Sequence, residues 1–231
     1  MDRACVEIKT VVTTANSVLR GGADSFESVD LNGTISLIDA AKAAGVQHFI
    51  YTSGSDTDPD HPNPLISAKG KCEAYLKESG LTYTILKPGM FMEAWIGVVV
   101  GVPLRAGKPV TLVGEGRRKQ VFVSMADVAT YAVCAVDNPS AKNQEILIAG
   151  PASYSWKEVC EAVGRAMGQD LNIHYVSPGD PIPFVPKFMR EALVEMEMAD
   201  SYIEMRHTVN AYGIEPTTLD AFAQQFFCAS P

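Results

Sequence analysis

Basic side chains are scarce in this sequence of 231 residues, where 19 Lys and Arg stand against 27 Asp and Glu. The formal net charge of −8 argues against binding to a nucleic-acid backbone, because such binding requires clustered cations. Long hydrophobic runs are also missing, since the longest, at residues 94–104, is too short to cross a bilayer. The first residues contain no apolar signal core. We therefore expect a cytoplasmic protein that contacts neither nucleic acid nor membrane.

Paired cysteine motifs are absent as well. The cysteine count is five, an odd number, and no CxxC or zinc-like spacing occurs, which indicates reduced thiols in the cytosol. The acidic loop at residues 56–61, with the sequence DTDPDH, contains oxygen and nitrogen ligands, but their spacing matches no calcium loop. No second cluster of Cys or His supports zinc. We expect no metal site.

The elements that are present alternate between strand-like and helix-like segments through the first half of the chain. This alternation predicts an α/β fold, in which a parallel sheet is covered by flanking helices. After Pro88 the strand-like and helix-like segments no longer alternate regularly, which predicts a small C-terminal α+β lobe on the substrate side. The predicted division places residues 1–88, with residues 120–150 returning to them, in the first domain. Residues 89–119 and 151–231 form the second.

One expected motif is missing from the parallel α/β pattern. A dinucleotide-binding domain normally opens with a strand and a G-x-G-x-x-G-like turn, whose backbone approaches the pyrophosphate at a helix N-terminus. No such pattern occurs in the sequence. The anchor for a dinucleotide pyrophosphate is therefore not evident from the residues.

Three segments nevertheless carry a recognisable pattern: VVTTANSVLRGGADSFESVDLNGTISLIDAAKAAGVQHFIYTSG, AKGKCEAYLKESGLTYTILKPGMFME, and VFVSMADVATYAV with the downstream AGPASYSWKEVCEAVGRAMG. With these segments the chain resembles the NmrA-like branch of the atypical short-chain dehydrogenases/reductases. The resemblance covers nearly the whole chain. It implies a Rossmann-like sheet that binds NADP or NAD, with NADP slightly preferred.

The resemblance also implies that the fold is truncated at its N-terminus. The similarity begins at the family's fourth strand, so roughly two βα units, at about 30 residues each, would precede Met1. The glycine-rich turn and the residue that distinguishes NADP from NAD would lie in them. An exposed strand edge would remain in their absence, and we expect poor solubility as a monomer.

The resemblance assigns the cofactor to the carboxyl ends of the predicted strands. Thr14, Ala15 and Asn16 would line the dinucleotide crevice after the first strand. Thr52 and Ser53 end the next strand, in the region of the family's serine that bonds a substrate carbonyl or the cofactor amide. A Ser53 hydroxyl could donate a hydrogen bond to an oxyanion as hydride arrives. The alternative for both segments is an ordinary strand end that turns.

Lys69 is the main catalytic and cofactor-binding prediction. An ammonium there could hold the ribose hydroxyls of the nicotinamide half, whereas the alternative is a solvated lysine paired with Glu73. Leu65 occupies the place of the tyrosine in the Tyr-x-x-x-Lys motif, and members of this branch often lack that tyrosine. The proton would then come from Lys69 itself, with Ser53 and His61 as rivals.

Residues after the third predicted strand are expected on the substrate side. The resemblance places Pro88 and Gly89 near the nicotinamide. Met90, Phe91 and Trp95 could line an apolar substrate pocket, although plain core packing is the alternative. Asp127 is expected to cap or buttress the helix that begins near it.

The function implied is NAD(P)H-dependent oxidoreduction, with hydride transfer to a small carbonyl, enone or quinone. The alternative is a non-catalytic NAD(P)-binding redox sensor that regulates a protein partner. A third possibility is a chain that binds no dinucleotide tightly, because the pyrophosphate turn is missing. The partners expected are a small-molecule substrate and either a second copy of the chain or a regulated protein.

Overall fold

The computed structural model describes residues 4–18, 20 and 22–228. These residues form two compact units. The first contains the described parts of Met1–Pro88 together with Val128–Ile148, and the second contains Gly89–Asp127 and the described part of Ala149–Pro231. The returning segment is therefore shorter than the predicted residues 120–150. Residues 120–127 belong to the second unit, because their strand pairs with strands of that unit.

The first unit is built on a parallel sheet of four strands in the order β1-β2-β3-β7. Helices α1 and α2 connect consecutive strands, and α5 leads into β7. The predicted α/β, Rossmann-like class is confirmed by this arrangement. The elements are β1 (Thr10–Thr13), α1 (Thr34–Ala43), β2 (His48–Thr52), α2 (Pro64–Glu78), β3 (Tyr83–Pro88), α5 (Met125–Ala135) and β7 (Gln144–Ile148).

Local sequence signals explain where the helices of this unit begin. A π-helical stretch, Phe26–Gly33, leads directly into α1 and starts at a capping box formed by Ser25 and Ser28. Helix α2 starts at Asn63, whose side chain accepts hydrogen bonds from the first backbone amides, with Pro64 in the first turn. Strand β1 is short, with only the four residues Thr10–Thr13.

The parallel register brings the carboxyl ends of the strands to one edge. Thr13 of β1 lies opposite Tyr51 of β2, and Tyr51 lies opposite Ile85 of β3. The segments that follow β1, β2 and β3 therefore emerge side by side, which is where parallel α/β sheets bind ligands. The core beneath is apolar, with Phe49 and Ile85 fully buried.

The second unit contains short strands and several helices around its own apolar core. Strands β4, β6 and β8 form one sheet, and β5 pairs with β9. Its elements are β4 (Met90–Phe91), α3 (Met92–Ile96), α4 (Val102–Arg105), β5 (Val110–Val113), β6 (Lys119–Val123), β8 (Ser153–Ser155), α6 (Trp156–Met167), β9 (Ile173–Val176), α7 (Lys187–Met196), α8 (Arg206–Tyr212) and α9 (Leu219–Cys228).

The apolar stretch at residues 90–107 is not one helix, since β4 precedes α3 and a π-helical turn, Gly97–Gly101, separates α3 from α4. Asp127 lies in the first turn of α5, and its carboxylate accepts hydrogen bonds from the amide and hydroxyl of Thr217, which is consistent with the predicted buttressing of that helix. Glu93 accepts from the Met125 amide at the start of the same helix.

Within the described residues, the helices are all too short or too polar to traverse a lipid bilayer. The same residues contain no group of three His, Cys, Asp or Glu side chains arranged to hold a metal ion.

Candidate functional site

Lys69 lies on α2 beside the carboxyl end of β2. Its Nζ donates a hydrogen bond to the carbonyl oxygen of Thr52 at 3.2 Å and lies 5.5 Å from the ring centroid of Tyr51. Burial lowers the pKa of the Lys69 ammonium, and the negative charges of Asp30 and Glu73 act in the opposite direction. Lys69 is therefore half-buried at the strand ends, where the alternative was a solvated surface lysine, and its role in catalysis and cofactor binding stays a prediction.

The hydroxyl groups of Thr52 and Ser53 lie at the carboxyl end of β2, and their environments differ. Thr52 is 7% exposed, and its Oγ1 has no hydrogen-bond partner among the described residues. Ser53 is 4% exposed, and its Oγ donates to Glu73 Oε1 at 2.5 Å. A buried hydroxyl without a partner is unusual, so Thr52 is equipped to bond a ligand. The Ser53 hydroxyl already donates its proton in a hydrogen bond to Glu73.

Glu73 is the centre of a polar cluster that the sequence did not predict. We define the Glu73 cluster as Ser53, Thr57, Glu73 and Lys87. Thr57 Oγ1 donates to Glu73 Oε1 at 2.5 Å, and Lys87 Nζ lies 3.0 Å from Glu73 Oε2. Lys87 also donates to Thr57 at 3.0 Å and to Glu145 at 3.3 Å. Glu73, which was the alternative partner of Lys69, therefore takes part in a network that joins α2 to β3 and to the segment after β2.

The segment after β1 is ordered by its own side chains. Asn16 Nδ2 donates to the Thr14 carbonyl at 3.1 Å, and Asn16 Oδ1 accepts from the Val18 amide at 3.1 Å. Asp30, at 1% exposure, accepts from both the amide (3.0 Å) and the hydroxyl (2.6 Å) of Ser17 through Oδ2. Asp30 Oδ1 has no partner among the described residues. Thr14, Asn16 and the intervening Ala15 are exposed, so their predicted contact with a dinucleotide stays a prediction.

The acidic loop before α2 packs closely on that helix. A Cβ on Gly70 would lie 2.6 Å from the backbone of Asp58 and Pro59, so only glycine allows this approach. Ser67 Oγ also donates to the Pro59 carbonyl at 2.6 Å. The loop is thereby held against the helix turn that carries Lys69.

Leu65, at the place of the missing tyrosine, and His61, a proposed proton donor, both lie shortly before Lys69 in the sequence. Leu65 is half-buried in the first turn of α2 and has no proton to donate. His61 Nδ1 accepts a hydrogen bond from the Asn63 amide at 3.0 Å, which leaves the proton of a neutral ring on Nε2. A role for His61 in proton transfer stays a prediction.

The predicted residues after β3 divide between the two units. Pro88 ends β3 in the first unit, and its carbonyl accepts from the Ser55 amide at 2.9 Å. Gly89 belongs to the second unit, where a Cβ would meet Val121 Cγ1 at 2.7 Å. The contacts of both residues with a nicotinamide remain predicted.

The predicted substrate residues lie in the second unit as well. Met90 and Phe91 form β4, which pairs with β6. Met90 and Trp95 are partly buried and pack against the apolar core of that unit. Met90 and Trp95 therefore show the core packing that was the alternative to a substrate pocket. Their contact with a substrate remains a prediction.

The sequence analysis did not predict the roles of Asp30, Glu73 and Lys87. Asp30 bonds Ser17 after β1, and Glu73 and Lys87, which lie far apart in the sequence, form an ion pair. The available signal was weak, because Glu73 follows Lys69 by one helical turn and that spacing suggested a surface ion pair.

Comparison with known proteins decides the family. The sequence matches the NmrA-like family over residues 6–223. The chain belongs to the NmrA-like family. This confirms the resemblance drawn from the sequence.

Individual relatives carry different names. An NAD(P)H azoreductase of Xenophilus azovorans is 33% identical over 135 residues, which cover 58% of this chain and 46% of that protein. The photosystem II assembly factor Ycf39 of Guillardia theta is 26% identical over 237 residues, which cover 94% of this chain and 74% of that protein. The chain thus spans less than half the length of the azoreductase.

A solved structure supports the fold. The NADPH-dependent quinone oxidoreductase QOR2 of Escherichia coli, solved with NADPH, is similar at a TM-score of 0.76 and 20% sequence identity. The similarity covers 98% of this chain and 79% of that one. At this identity the likeness shows a shared fold.

Proposed function

We propose that this chain is an NAD(P)H-dependent oxidoreductase that transfers hydride to a small carbonyl, enone or quinone. The observation that carries the proposal is the position of Lys69 in a family of NAD(P)-binding reductases. Its desolvated ammonium is fixed on the Thr52 carbonyl, at the carboxyl ends of parallel strands. Besides the Thr52 carbonyl and the charges of Asp30 and Glu73, the hydroxyl groups of a ribose would supply this half-buried ammonium with further hydrogen bonds.

The residues present fit the nicotinamide half of the cofactor. Thr52 Oγ1 and Asp30 Oδ1 are buried polar atoms without partners among the described residues. Lys69 would hold the ribose hydroxyls, and Thr52 would bond the nicotinamide half or the substrate oxygen. When bound, the reduced nicotinamide supplies the hydride. No residue is assigned to the pyrophosphate, because the sequence contains no G-x-G-x-x-G pattern.

Lys69 is also the proposed source of the proton. Reduction of a carbonyl or quinone adds one hydride to the acceptor and one proton to its oxygen. The Lys69 ammonium gives up a proton more readily than an ordinary lysine, because burial lowers its pKa. The neutral amine that remains then takes a proton from solvent.

A non-catalytic redox sensor is the second candidate. Leu65 stands where the proton-donating tyrosine of many reductases would be, and Ser53 already donates its proton to Glu73. One relative is also named as an assembly factor. A sensor would bind the dinucleotide through Lys69 and Thr52 without turnover.

A thermal-shift titration separates these functions. The chain is titrated with NADPH, NADP⁺, NADH and NAD⁺ to millimolar concentration, and a ligand at 100 times its dissociation constant stabilises the fold by about 2.7 kcal/mol. Oxidation of the reduced cofactor is then followed with a quinone, an enone, an aldehyde and an azo dye. Stabilisation with oxidation supports the reductase, stabilisation alone supports the sensor, and no stabilisation by any of the four contradicts both.

A further inference from the structure

His48 is a buried histidine that the proposed hydride transfer does not use. It is the first residue of β2 and is 3% exposed. Its Nε2 lies 2.8 Å from Thr84 Oγ1 on β3, and Thr84 Oγ1 donates a hydrogen bond to the Ala141 carbonyl at 2.7 Å. These bonds join β2 and β3 to the segment that precedes β7. They lie at the amino ends of the strands, opposite to the edge that carries Lys69.

The direction of these bonds fixes the proton of His48. The single proton of the Thr84 hydroxyl is donated to Ala141, so the Thr84 oxygen accepts from His48 and the hydrogen of a neutral ring lies on Nε2. His48 Nδ1 is buried and has no hydrogen-bond partner among the described residues. A second proton would place a donor without an acceptor, and a positive charge, in this buried position. The observed arrangement therefore requires a neutral His48 ring.

The surroundings of His48 also oppose its protonation. Burial lowers the His48 pKa, the ammonium of Lys142 lowers it further, and the carboxylate of Asp137 acts in the opposite direction. Both charged groups lie between α5 and β7, whereas the group that faces the ring from β3 is the neutral Thr84 hydroxyl.

The segment at residues 137–143 lies on the surface, and Ala141 is its single buried residue. Asp137 and Asn143, at its two ends, have left-handed backbone conformations with φ of 57° and 56°, which non-glycine residues adopt at a cost in free energy. The Asn143 amide donates to the Tyr83 carbonyl at 2.6 Å, and Asn143 Oδ1 accepts from the Tyr83 amide at 3.2 Å. The end next to β7 is thus tied without a titratable group, while the tie through Ala141 depends on a histidine.

We propose that His48, Thr84 and Ala141 form a pH-sensitive latch, which holds residues 137–143 on the sheet while His48 is neutral and releases them on acidification. Opening lets water solvate a charged ring and moves Lys142 away from it. The open form takes up a proton at the ordinary histidine pKa of about 6.5, and the closed form does so only at lower pH. The closed latch is therefore fully stable above that pKa and becomes less stable as the pH falls. The inference is independent of the proposed function.

Hydrogen exchange measured by mass spectrometry tests the latch in the wild-type chain. Exchange is followed between about pH 7.5 and about pH 5.5 and corrected for the intrinsic rate at each pH, and the opening constant of the segment should rise up to about tenfold on acidification. The reporting amides are those of Ala141 and Lys142, which donate to the Asn138 and Pro139 carbonyls. A peptide from α1, in the same unit, is the internal control and should keep its protection.

Three variants separate the latch from general acid sensitivity. H48Q keeps a donor for Thr84 but does not titrate in this range, so its segment should stay protected on acidification. T84V removes the hydroxyl that joins the ring to Ala141, so its segment should exchange fast already at neutral pH. H174Q removes an exposed histidine of β9 and should behave as the wild type.

An NMR titration of the His48 ring in the wild-type chain keeps the test decisive if H48Q or T84V does not fold. The ring should titrate below the ordinary histidine pKa. Titration at or above that value overturns the inference. So does a loss of protection on acidification that α1 shares equally, or one that H48Q shows as strongly as the wild type.

Discussion

Replacement of Lys69 by methionine isolates the contribution of its ammonium. The side chain keeps a similar length and apolar stem but loses the donor that contacts the Thr52 carbonyl at 3.2 Å. Hydrogen bonds from a charged group contribute about 1.5–3 kcal/mol, so NADPH or NADH affinity should fall roughly 10- to 150-fold in K69M. Stability should change by less than about 1 kcal/mol, because the lost hydrogen bond is offset by relief from burying a charge.

The pH dependence of stability gives K69M a second readout. Burial lowers the Lys69 pKa in the folded chain, so the unfolded chain holds more protons as the pH rises towards the ordinary lysine pKa of about 10.4. The free energy of unfolding contributed by Lys69 therefore increases across that window. Urea denaturation of wild type and K69M at several alkaline pH values should show a smaller rise in the variant.

The control is K71M, which removes an exposed lysine from the same helix. It should keep both the cofactor affinity and the pH dependence of the wild type. The reasoning would be refuted if K69M bound the cofactors as tightly as K71M, or if the two variants showed the same alkaline slope.

Three further predictions concern the fold. S155A should cost about 1 kcal/mol in urea denaturation, because Ser155 caps α6. The Ser155 amide and hydroxyl both lower the Glu158 pKa, and S155A removes the hydroxyl, which donates to Glu158 Oε2 at 2.9 Å. The stabilisation from the hydroxyl should therefore be complete above the ordinary carboxyl pKa of about 4.3 and lost as the pH falls. G70A should destabilise by about 1–3 kcal/mol, because its Cβ would lie 2.6 Å from the Pro59 nitrogen. In native protein, a thiol reagent should modify the exposed Cys228 before the buried cysteines.

Each of these has a matched comparison. G54A is the control for G70A, since its Cβ would meet only Thr57 Cγ2 at 3.6 Å, an ordinary contact. Equal stability of the two glycine variants would contradict the close packing of the loop. Burial raises the pKa of Cys72 to about 11 and that of Cys160 to about 12, so modification of either as fast as Cys228 would contradict their burial. A pH-independent effect of S155A would contradict the role of Glu158.

Most elements of the first unit could be predicted from the sequence because their signals are local. Asn63 and Pro64 mark the start of α2, and β-branched residues mark β1. The division of residues 90–107 into a short strand and short helices could not be predicted, because a continuous apolar run does not distinguish a short strand from a helix. Strand β8 was missed, since a three-residue strand leaves no periodicity to detect.

The sequence by itself determined the family, the parallel α/β class and the prominence of Lys69. These rest on segment order and on motifs within a few residues. Only the tertiary structure decided the hydrogen bonds of the site. Ser53 and Glu73 are 20 residues apart, and Lys87 lies 14 residues beyond Glu73. Their meeting depends on the register of β2 with β3 and on how α2 packs, so the short-range pattern around Lys69 could not predict it.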